Sequence, residues 1–148
     1  MARRETNIYM TSSKSLREIE DNLPTGFHDA LLETLAINLP SNSMEMVLQL
    51  CVGDPDASTE EEREAYRRAT LRIYDLVYLV IEGPMLSNAF SNGKALRIDG
   101  GDATDNSNPK APTPRKNLPN GVFAYWFYCS LWNSFIHVAA HRASIQWE

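Results

Sequence analysis

Two stretches in the first third of the chain alternate between apolar and polar residues. Within residues 31–39 the apolar residues Leu35, Ile37 and Leu39 fall on every second position, and apolar residues fall on every second position of 44–52, with the turn-forming segment 40–43 between the two stretches. Alternate residues of a β-strand point to opposite faces of a sheet. We therefore predict an antiparallel hairpin over residues 31–52. Its buried face should include Leu35, Ile37, Met46 and Leu48, and Thr34 and Gln49 should be less buried.

The rest of the chain predicts further short strands and one helix. Ser15 and Glu18 have the spacing of a capping box, and Leu16, Ile19 and Leu23 follow at helical spacing before Pro24. Residues 53–64 predict a loop with one capped helical turn, and residues 99–120 predict a long loop. Strands are predicted over residues 66–73, 76–81, 95–98, 122–131, 135–140 and 143–147, with a bend or bulge at Asp75 and the 76–81 strand the more buried. The fold class is mainly β, an antiparallel sandwich or open barrel with one short N-terminal helix.

The strand predicted from residue 122 is apolar on both faces. Phe123, Tyr125 and Phe127 share one parity, and Trp126 and Tyr128 lie on the other. Such a strand needs cover on both sides, from the core of the protein and from a helix, a loop or a partner. It could also support a homodimer.

Length and charge limit the function. The 148 residues suit one domain, 1–148, and the net charge of −5 does not favour nucleic acid as a partner, because phosphate binding needs a cationic face. The same charge suits a cationic protein partner. No apolar run is long enough to cross a bilayer, and no secretory signal is visible, so we expect no membrane association and a cytoplasmic location. Cys51 and Cys129 lie in apolar runs and are interpreted as buried thiols, with a cross-strand disulfide as the alternative.

Three segments carry a resemblance to known sequences. They are the start Phe27-His28-Asp29-Ala30, the segment Gly53-Asp54-Pro55-Asp56 before Arg63-Glu64-Ala65-Tyr66, and the ending Trp132-Asn133-Ser134-Phe135-Ile136-His137. Together they resemble an uncharacterised family of small bacterial proteins, over most of the chain from Gly26 onward. In size, acidity and β-rich pattern the chain is also similar to immunity proteins that neutralise bacterial toxins. The first resemblance implies no known activity or catalytic residues, and the second implies a non-enzymatic protein-binding function.

The histidines offer an alternative, enzymatic function. His28 and Asp29 are adjacent, and His137 lies in the C-terminal strand region. Imidazole and carboxylate groups bind zinc, so these three residues could serve a small metal-dependent or hydrolytic enzyme. The spacing matches no zinc signature, and no nucleophile motif is present. We therefore expect no metal, no cofactor and a structural role for His28 and Asp29.

Two groups of residues could bind a protein partner. The loop 53–64 is strongly acidic, and such a run is either a solvated face or a docking surface for a basic partner. Aromatic residues near the C-terminus could supply apolar contact area, because Trp and Tyr are preferred anchors in interfaces. The predicted partner-binding residues are Asp54, Asp56, Glu60, Glu61, Glu62, Glu64, Trp126, Tyr128 and Trp132.

Overall fold

The computed structural model describes residues 14–84, 93, 95–103 and 118–148. It contains two short helices, α1 (Leu16–Asp21) and α2 (Glu60–Arg63), and a sheet of seven strands. All neighbouring strands are antiparallel, in the order β4-β1-β2-β3-β7-β6-β5. The strands are β1 (Ala30–Asn38), β2 (Ser43–Cys51), β3 (Tyr66–Ile81), β4 (Leu96–Ile98), β5 (Gly100–Ala103), β6 (Phe123–Cys129) and β7 (Ser134–Trp147).

The sheet curls into a half-barrel because the strands at its two edges, β4 and β5, are consecutive in the chain. β4 pairs with β1, β5 pairs with β6, and only Asp99 separates β4 from β5. The Asp99 backbone N–H donates to the Tyr128 carbonyl at 2.9 Å. Its carboxylate Oδ2 accepts from the Ser130 N–H at 3.0 Å. One short segment therefore joins the two edges of the sheet.

Helix α1 covers the inner face of the sheet and begins at the predicted capping box. The Ser15 side chain accepts from Glu18 N–H, and the Glu18 side chain accepts from Ser15 N–H. Leu16 and Ile19 are buried. Arg17 on the exposed side pairs with Asp102 of β5 at 2.7 Å. Helix α1 is thus held on the sheet by its two buried side chains and held to β5 by the ion pair between Arg17 and Asp102.

The core lies on the concave face. β2, β6 and the first half of β3 bury alternate side chains, as their two-residue periodicity requires. β7 buries residues 136–140 on both of its faces. Phe27 contacts two aromatic rings of β6, with centroid distances of 5.9 Å to Tyr125 and 5.3 Å to Phe127. The Tyr125 hydroxyl donates to Glu20 Oε2 at 2.7 Å, so its one polar atom is satisfied. Burial raises the pKa of the Glu20 carboxyl, and the Tyr125 hydrogen bond opposes that shift.

The predicted antiparallel hairpin is confirmed, but the predicted burial of its residues is only partly confirmed. β1 and β2 pair antiparallel with Leu35 opposite Met46, and Met46 and Leu48 are fully buried, while Thr34 is exposed. The predicted burial of Ile37 is wrong, because its side chain is 43% exposed, and Leu35 is only half-buried. The cause is that β4 pairs with β1 only at residues 30–32. Beyond that point β1 is an edge strand among the described residues.

Three predicted element boundaries are also wrong. Residues 66–81 form the single strand β3, whose register shifts near the positive-φ residue Asp75, and its second half is half-buried instead of more buried. Residues 134–147 form the single strand β7. β5 occupies the start of the segment predicted as a long loop, and the remainder of that loop at 104–117 lies outside the described residues. The mainly β class with one short N-terminal helix is confirmed.

The fold makes a prediction about Leu48. Its replacement by Ala should lower the free energy of unfolding by about 2–5 kcal/mol, because a fully buried leucine leaves a cavity. Leu39→Ala is a matched control, because Leu39 is 82% exposed and its truncation should change stability by less than about 0.5 kcal/mol. Urea unfolding followed by circular dichroism measures both. Equal losses in the two variants would contradict the assignment of the core.

A second prediction concerns two adjacent glycines in β5. A Cβ on Gly101 would lie 2.8 Å from Tyr125 Cε1 and 2.9 Å from the Trp126 carbonyl oxygen, whereas a Cβ on Gly100 would meet nothing within 4 Å. Gly101→Ala should therefore destabilise the protein by about 1–3 kcal/mol, as overpacking does. Gly100→Ala should have little effect. A larger loss from Gly100→Ala, measured by thermal unfolding, would show that β5 does not pack on Tyr125 in this way.

Candidate functional site

The acidic loop, residues 53–65 between β2 and β3, is tied together by its own backbone. Val52 N–H donates to the Ala65 carbonyl at 2.8 Å, and Asp54 N–H donates to the Glu62 carbonyl at 3.0 Å. Gly53 passes so close to the far side of the loop that a Cβ there would lie 2.0 Å from the Arg63 carbonyl oxygen. A glycine is therefore required at the base of the loop, where the backbone at Gly53 lies against the backbone at Arg63.

The short helix α2 fixes the other half of the acidic loop. The Thr59 side chain caps it by accepting from Glu62 N–H at 3.3 Å, as the sequence predicted. The Arg63 guanidinium donates a hydrogen bond to the Ala57 carbonyl at 2.9 Å and forms no ion pair with a described carboxylate. The helical turn holds its acidic side chains on an ordered backbone and leaves them exposed.

The charge of the acidic loop is unusual for this chain. Six acidic residues and Arg63 give the loop a net charge of −5, equal to the net charge of the whole protein, so the remainder is balanced at 13 acidic and 13 basic residues. All six carboxylates are exposed, and none forms an ion pair with a described residue. Every other described acidic residue contacts an Arg, a His, a Tyr or a backbone N–H. Within the loop, Asp54 Oδ1 accepts from Asp56 N–H at 2.9 Å. The loop is therefore a cluster of six exposed carboxylates that form no ion pair with a described residue.

A polar seam of His28, Asp29, Tyr66, Arg97 and Asp99 leads away from the acidic loop. The Tyr66 hydroxyl donates to the Asp29 carbonyl at 3.3 Å, which joins the end of the loop to the start of β1. The Asp29 carboxylate contacts His28 Nδ1 at 3.1 Å and pairs with Arg97. Arg97 Nε also lies 3.0 Å from Asp99 Oδ1. Because Asp99 bonds to Ser130, the seam extends to the turn between β6 and β7.

The outer face of β6 and β7 carries a cluster of aromatic rings. Trp126 stands opposite His137, and Tyr128 stands opposite Phe135. The Phe135 ring centroid lies 5.6 Å from Trp126, 5.0 Å from Tyr128 and 5.6 Å from His137, on which it stacks. Alternate residues of β6 point to the core instead. The two-faced character predicted for this strand is therefore real, and Trp126, Tyr128, Phe135 and His137 form the outer aromatic face.

His137 is a buried histidine within the outer aromatic face. The residue is only 4% exposed, and its Nε2 atom lies 3.7 Å from Glu82 Oε1. Burial lowers the pKa of His137, and the Glu82 carboxylate opposes that shift. Its Nδ1 and the Trp126 Nε1 are buried without a hydrogen-bond partner among the described residues. His137 is therefore favoured as the neutral imidazole.

The structure separates the predicted partner-binding residues into two groups. The six acidic residues lie together on the acidic loop, and Trp126 and Tyr128 lie together on the outer aromatic face. Trp132 lies in the turn after β6 and packs against the core. The polar seam runs from the end of the acidic loop to the turn between β6 and β7. The sequence did not predict that Tyr66, Arg97 and Asp99 belong to this seam, or that Phe135 belongs to the outer aromatic face. The alternating apolar pattern around Phe135 was a signal for its place on the outer aromatic face.

The residues of the enzymatic alternative do not form a metal cluster. His28 and Asp29 are in contact, whereas His137 contacts Glu82. Within residues 14–84, 93, 95–103 and 118–148, no group of three or more His, Cys, Asp or Glu side chains could hold a metal ion. His28 and Asp29 can still act as a base and its orienting carboxylate, since the His28 side chain is 59% exposed.

Both cysteines are free and buried, as the sequence interpretation held. Burial raises the pKa of the Cys129 thiol to about 12, so it is protonated at neutral pH and unsuited to nucleophilic attack. None of the described helices has the length and apolar composition needed to cross a membrane.

No family model, curated protein or solved structure matches the chain. Its resemblance to the small bacterial family and to immunity proteins therefore stays a prediction.

The state of His137 predicts an acid sensitivity. A pKa below the unfolded value of about 6.5 means that the unfolded chain binds more protons, so stability falls as pH drops below about 6.5 towards the folded pKa. His137→Gln should reduce that slope, because glutamine does not titrate. Chemical unfolding at several pH values between about 7 and 5 measures the slope. An unchanged slope in His137→Gln would contradict the prediction.

Proposed function

We propose that this chain is a non-enzymatic protein-binding protein whose acidic loop docks on a cationic surface of its partner. In its most specific form the proposal is a cytoplasmic immunity protein that neutralises a bacterial toxin. The observation that carries it is the clustering, on an ordered loop, of six exposed carboxylates that form no ion pair with a described residue.

Unpaired carboxylates favour this use for two physical reasons. A cationic partner breaks no internal ion pair when it binds them, so little electrostatic stabilisation is lost. The backbone bonds of the acidic loop and the Arg63 contact with Ala57 hold the loop in one shape, which reduces the entropy lost on binding. The summed field of like charges also increases the rate of encounter with a partner of opposite sign.

The outer aromatic face would supply short-range affinity. Trp126 and Tyr128 are half-buried, and both residue types are frequent energetic anchors in interfaces. The polar seam of His28, Asp29 and Arg97 begins at the end of the acidic loop, where Tyr66 bonds to Asp29, and could add polar contacts to the same partner. These three side chains are partly or largely exposed and could form hydrogen bonds at the rim.

The proposal predicts slower association when the acidic loop loses charge. Changing Glu60, Glu61, Glu62 and Glu64 together to Gln should lower the association rate with a cationic toxin encoded beside this chain, and should flatten its dependence on salt. The matched control changes the same four residues to Asp, which keeps the charge and should keep the rate. Surface plasmon resonance at two salt concentrations measures both variants, and thermal unfolding checks that each is folded.

Equal association rates for the Gln variant and the wild-type protein would remove the acidic loop from the mechanism. Stoichiometric zinc in the purified protein, or turnover of a small substrate that His28→Gln abolishes, would instead support the enzymatic alternative built on His28, Asp29 and His137.

A further inference from the structure

The outer aromatic face encloses two polar atoms that have no protein partner among the described residues. Trp126 of β6 and His137 of β7 stand opposite each other. The Trp126 Nε1 and the His137 Nδ1 are both buried, and neither forms a hydrogen bond within residues 14–84, 93, 95–103 and 118–148. Buried polar atoms are nearly always paired. Two unpaired atoms on neighbouring strands therefore point to a second arrangement of these side chains, in which water reaches them.

The two ring nitrogens of His137 have different surroundings. Nε2 lies 3.7 Å from Glu82 Oε1, whereas Nδ1 is the buried atom without a partner. The single proton of the neutral imidazole is favoured on Nε2, beside the carboxylate, so Nδ1 is left as an acceptor. A second proton must be placed on Nδ1, where it forms a buried N–H with no acceptor among the described residues. The packing of the outer aromatic face therefore suits the neutral ring and opposes the charged one.

Phe135 links the His137 ring to Trp126. The Phe135 ring stacks on His137 with an interplanar angle of 28° and meets Trp126 edge-on at 77°. A shift of the His137 ring that lets water reach Nδ1 must therefore displace Phe135, and with it one side of the Trp126 indole. The same movement lets the Trp126 Nε1–H bond to water, which partly offsets the lost ring contacts.

The backbone beside these rings is held by bonds of its own. Glu82 N–H donates to the Phe135 carbonyl at 3.0 Å, and Phe135 N–H donates to Glu82 Oε1 at 2.8 Å. The Ser134 hydroxyl donates to the Glu82 carbonyl at 3.2 Å. Ile136 and Val138 alternate with His137 along β7 and are buried in the core. The side chains of the outer aromatic face can therefore loosen while β3 and β7 stay paired.

We propose that His137 is an acid-sensitive switch: protonation of its imidazole releases the packing of Phe135 and Trp126 and opens the outer aromatic face to water. The change is local, because the core on the other side of β7 does not depend on the charge of His137. The inference does not depend on the proposed function, since it concerns the protein without a partner.

The charged surroundings of His137 set the direction of the effect. The titratable and charged groups on the outer side of the strands around it are, among the described residues, Glu82 directly after β3, Tyr78 of β3, Tyr128 of β6, His141 of β7, and Asp102 of β5 with its partner Arg17. The phenols stay neutral near pH 7. The Glu82 carboxylate raises the pKa of His137, but burial lowers it more strongly. Acid must therefore overcome the burial of the ring before the switch opens.

Tryptophan signals in heteronuclear NMR give the first test. The wild-type protein has three tryptophans, each with one indole N–H signal, and Trp126→Phe assigns the signal of residue 126. As the pH falls from about 7 to about 5, the Trp126 signal should shift with the midpoint of the His137 imidazole, below the ordinary value of about 6.5. The Trp132 and Trp147 signals should stay in place, because both residues pack against the core. Movement of all three signals together would show global unfolding and overturn the proposal.

Three substitutions give the second test. His137→Gln should abolish the Trp126 shift, because glutamine does not titrate. His141→Gln is the matched control on the same strand and should keep the shift, because His141 is exposed. Glu82→Gln keeps an oxygen for the Phe135 N–H but removes the charge that favours the imidazolium, so the midpoint should fall further.

Glu82→Gln leaves the His137 ring unchanged, so it tests the switch even where His137→Gln does not fold. Circular dichroism at neutral pH checks the folding of each variant. A Trp126 signal that stays fixed while His137 gains its proton, a shift that survives His137→Gln, or a midpoint that does not fall in Glu82→Gln would each overturn the proposal.

Discussion

The fold depends on the turn of the chain at Asp99. Asp99 lies between β4, which pairs with β1, and β5, which pairs with β6. The chain therefore passes directly from one edge of the sheet to the other, and the two edges come together. The Asp99 N–H and carboxylate bond to the β6 end, and Arg97 pairs with the same carboxylate. The resulting curvature produces a concave face that Phe27 and helix α1 can fill. Without it the apolar residues of β6 and β1 would have no common core.

Structure and charge are distributed differently in this molecule. The sheet and helix α1 hold several of their charges in local pairs such as Arg17 with Asp102 and Arg142 with Asp75. These pairs are exposed and contribute little to stability individually, about 0–1 kcal/mol each. The acidic loop contributes no ion pair within the described residues. Stability therefore resides in the core, and the loop holds a dense group of exposed negative charges.

Local patterns predicted the local elements well. The capping box at Ser15 predicted the start of α1, and alternation with an intervening turn predicted the antiparallel β1–β2 hairpin, because both patterns depend on neighbouring residues alone. The exposure of Ile37 could not be predicted from the sequence. Alternation of apolar and polar residues shows which side chains share a face of the strand, but not how far along the strand that face is covered by other residues. β5 was missed because Gly100 and Gly101 have weak strand preference, and the pairing with β6 that makes them a strand is a long-range contact.

The sequence predicted which acidic and aromatic residues belong to the candidate site, but not how they are arranged in space. The density of carboxylates in residues 54–64 was visible in the sequence, whereas their lack of partners depends on where each arginine of the fold points. The polar seam joins residues far apart in the chain, such as Asp29 and Arg97. No spacing in a single sequence reveals such pairs. The acidic loop also closes at its own base, through Val52 and Ala65, before the β2–β3 ladder begins. Its outward residues can consequently diverge among descendants of this gene while the sheet is preserved, so the surface of the loop can change at little cost to folding.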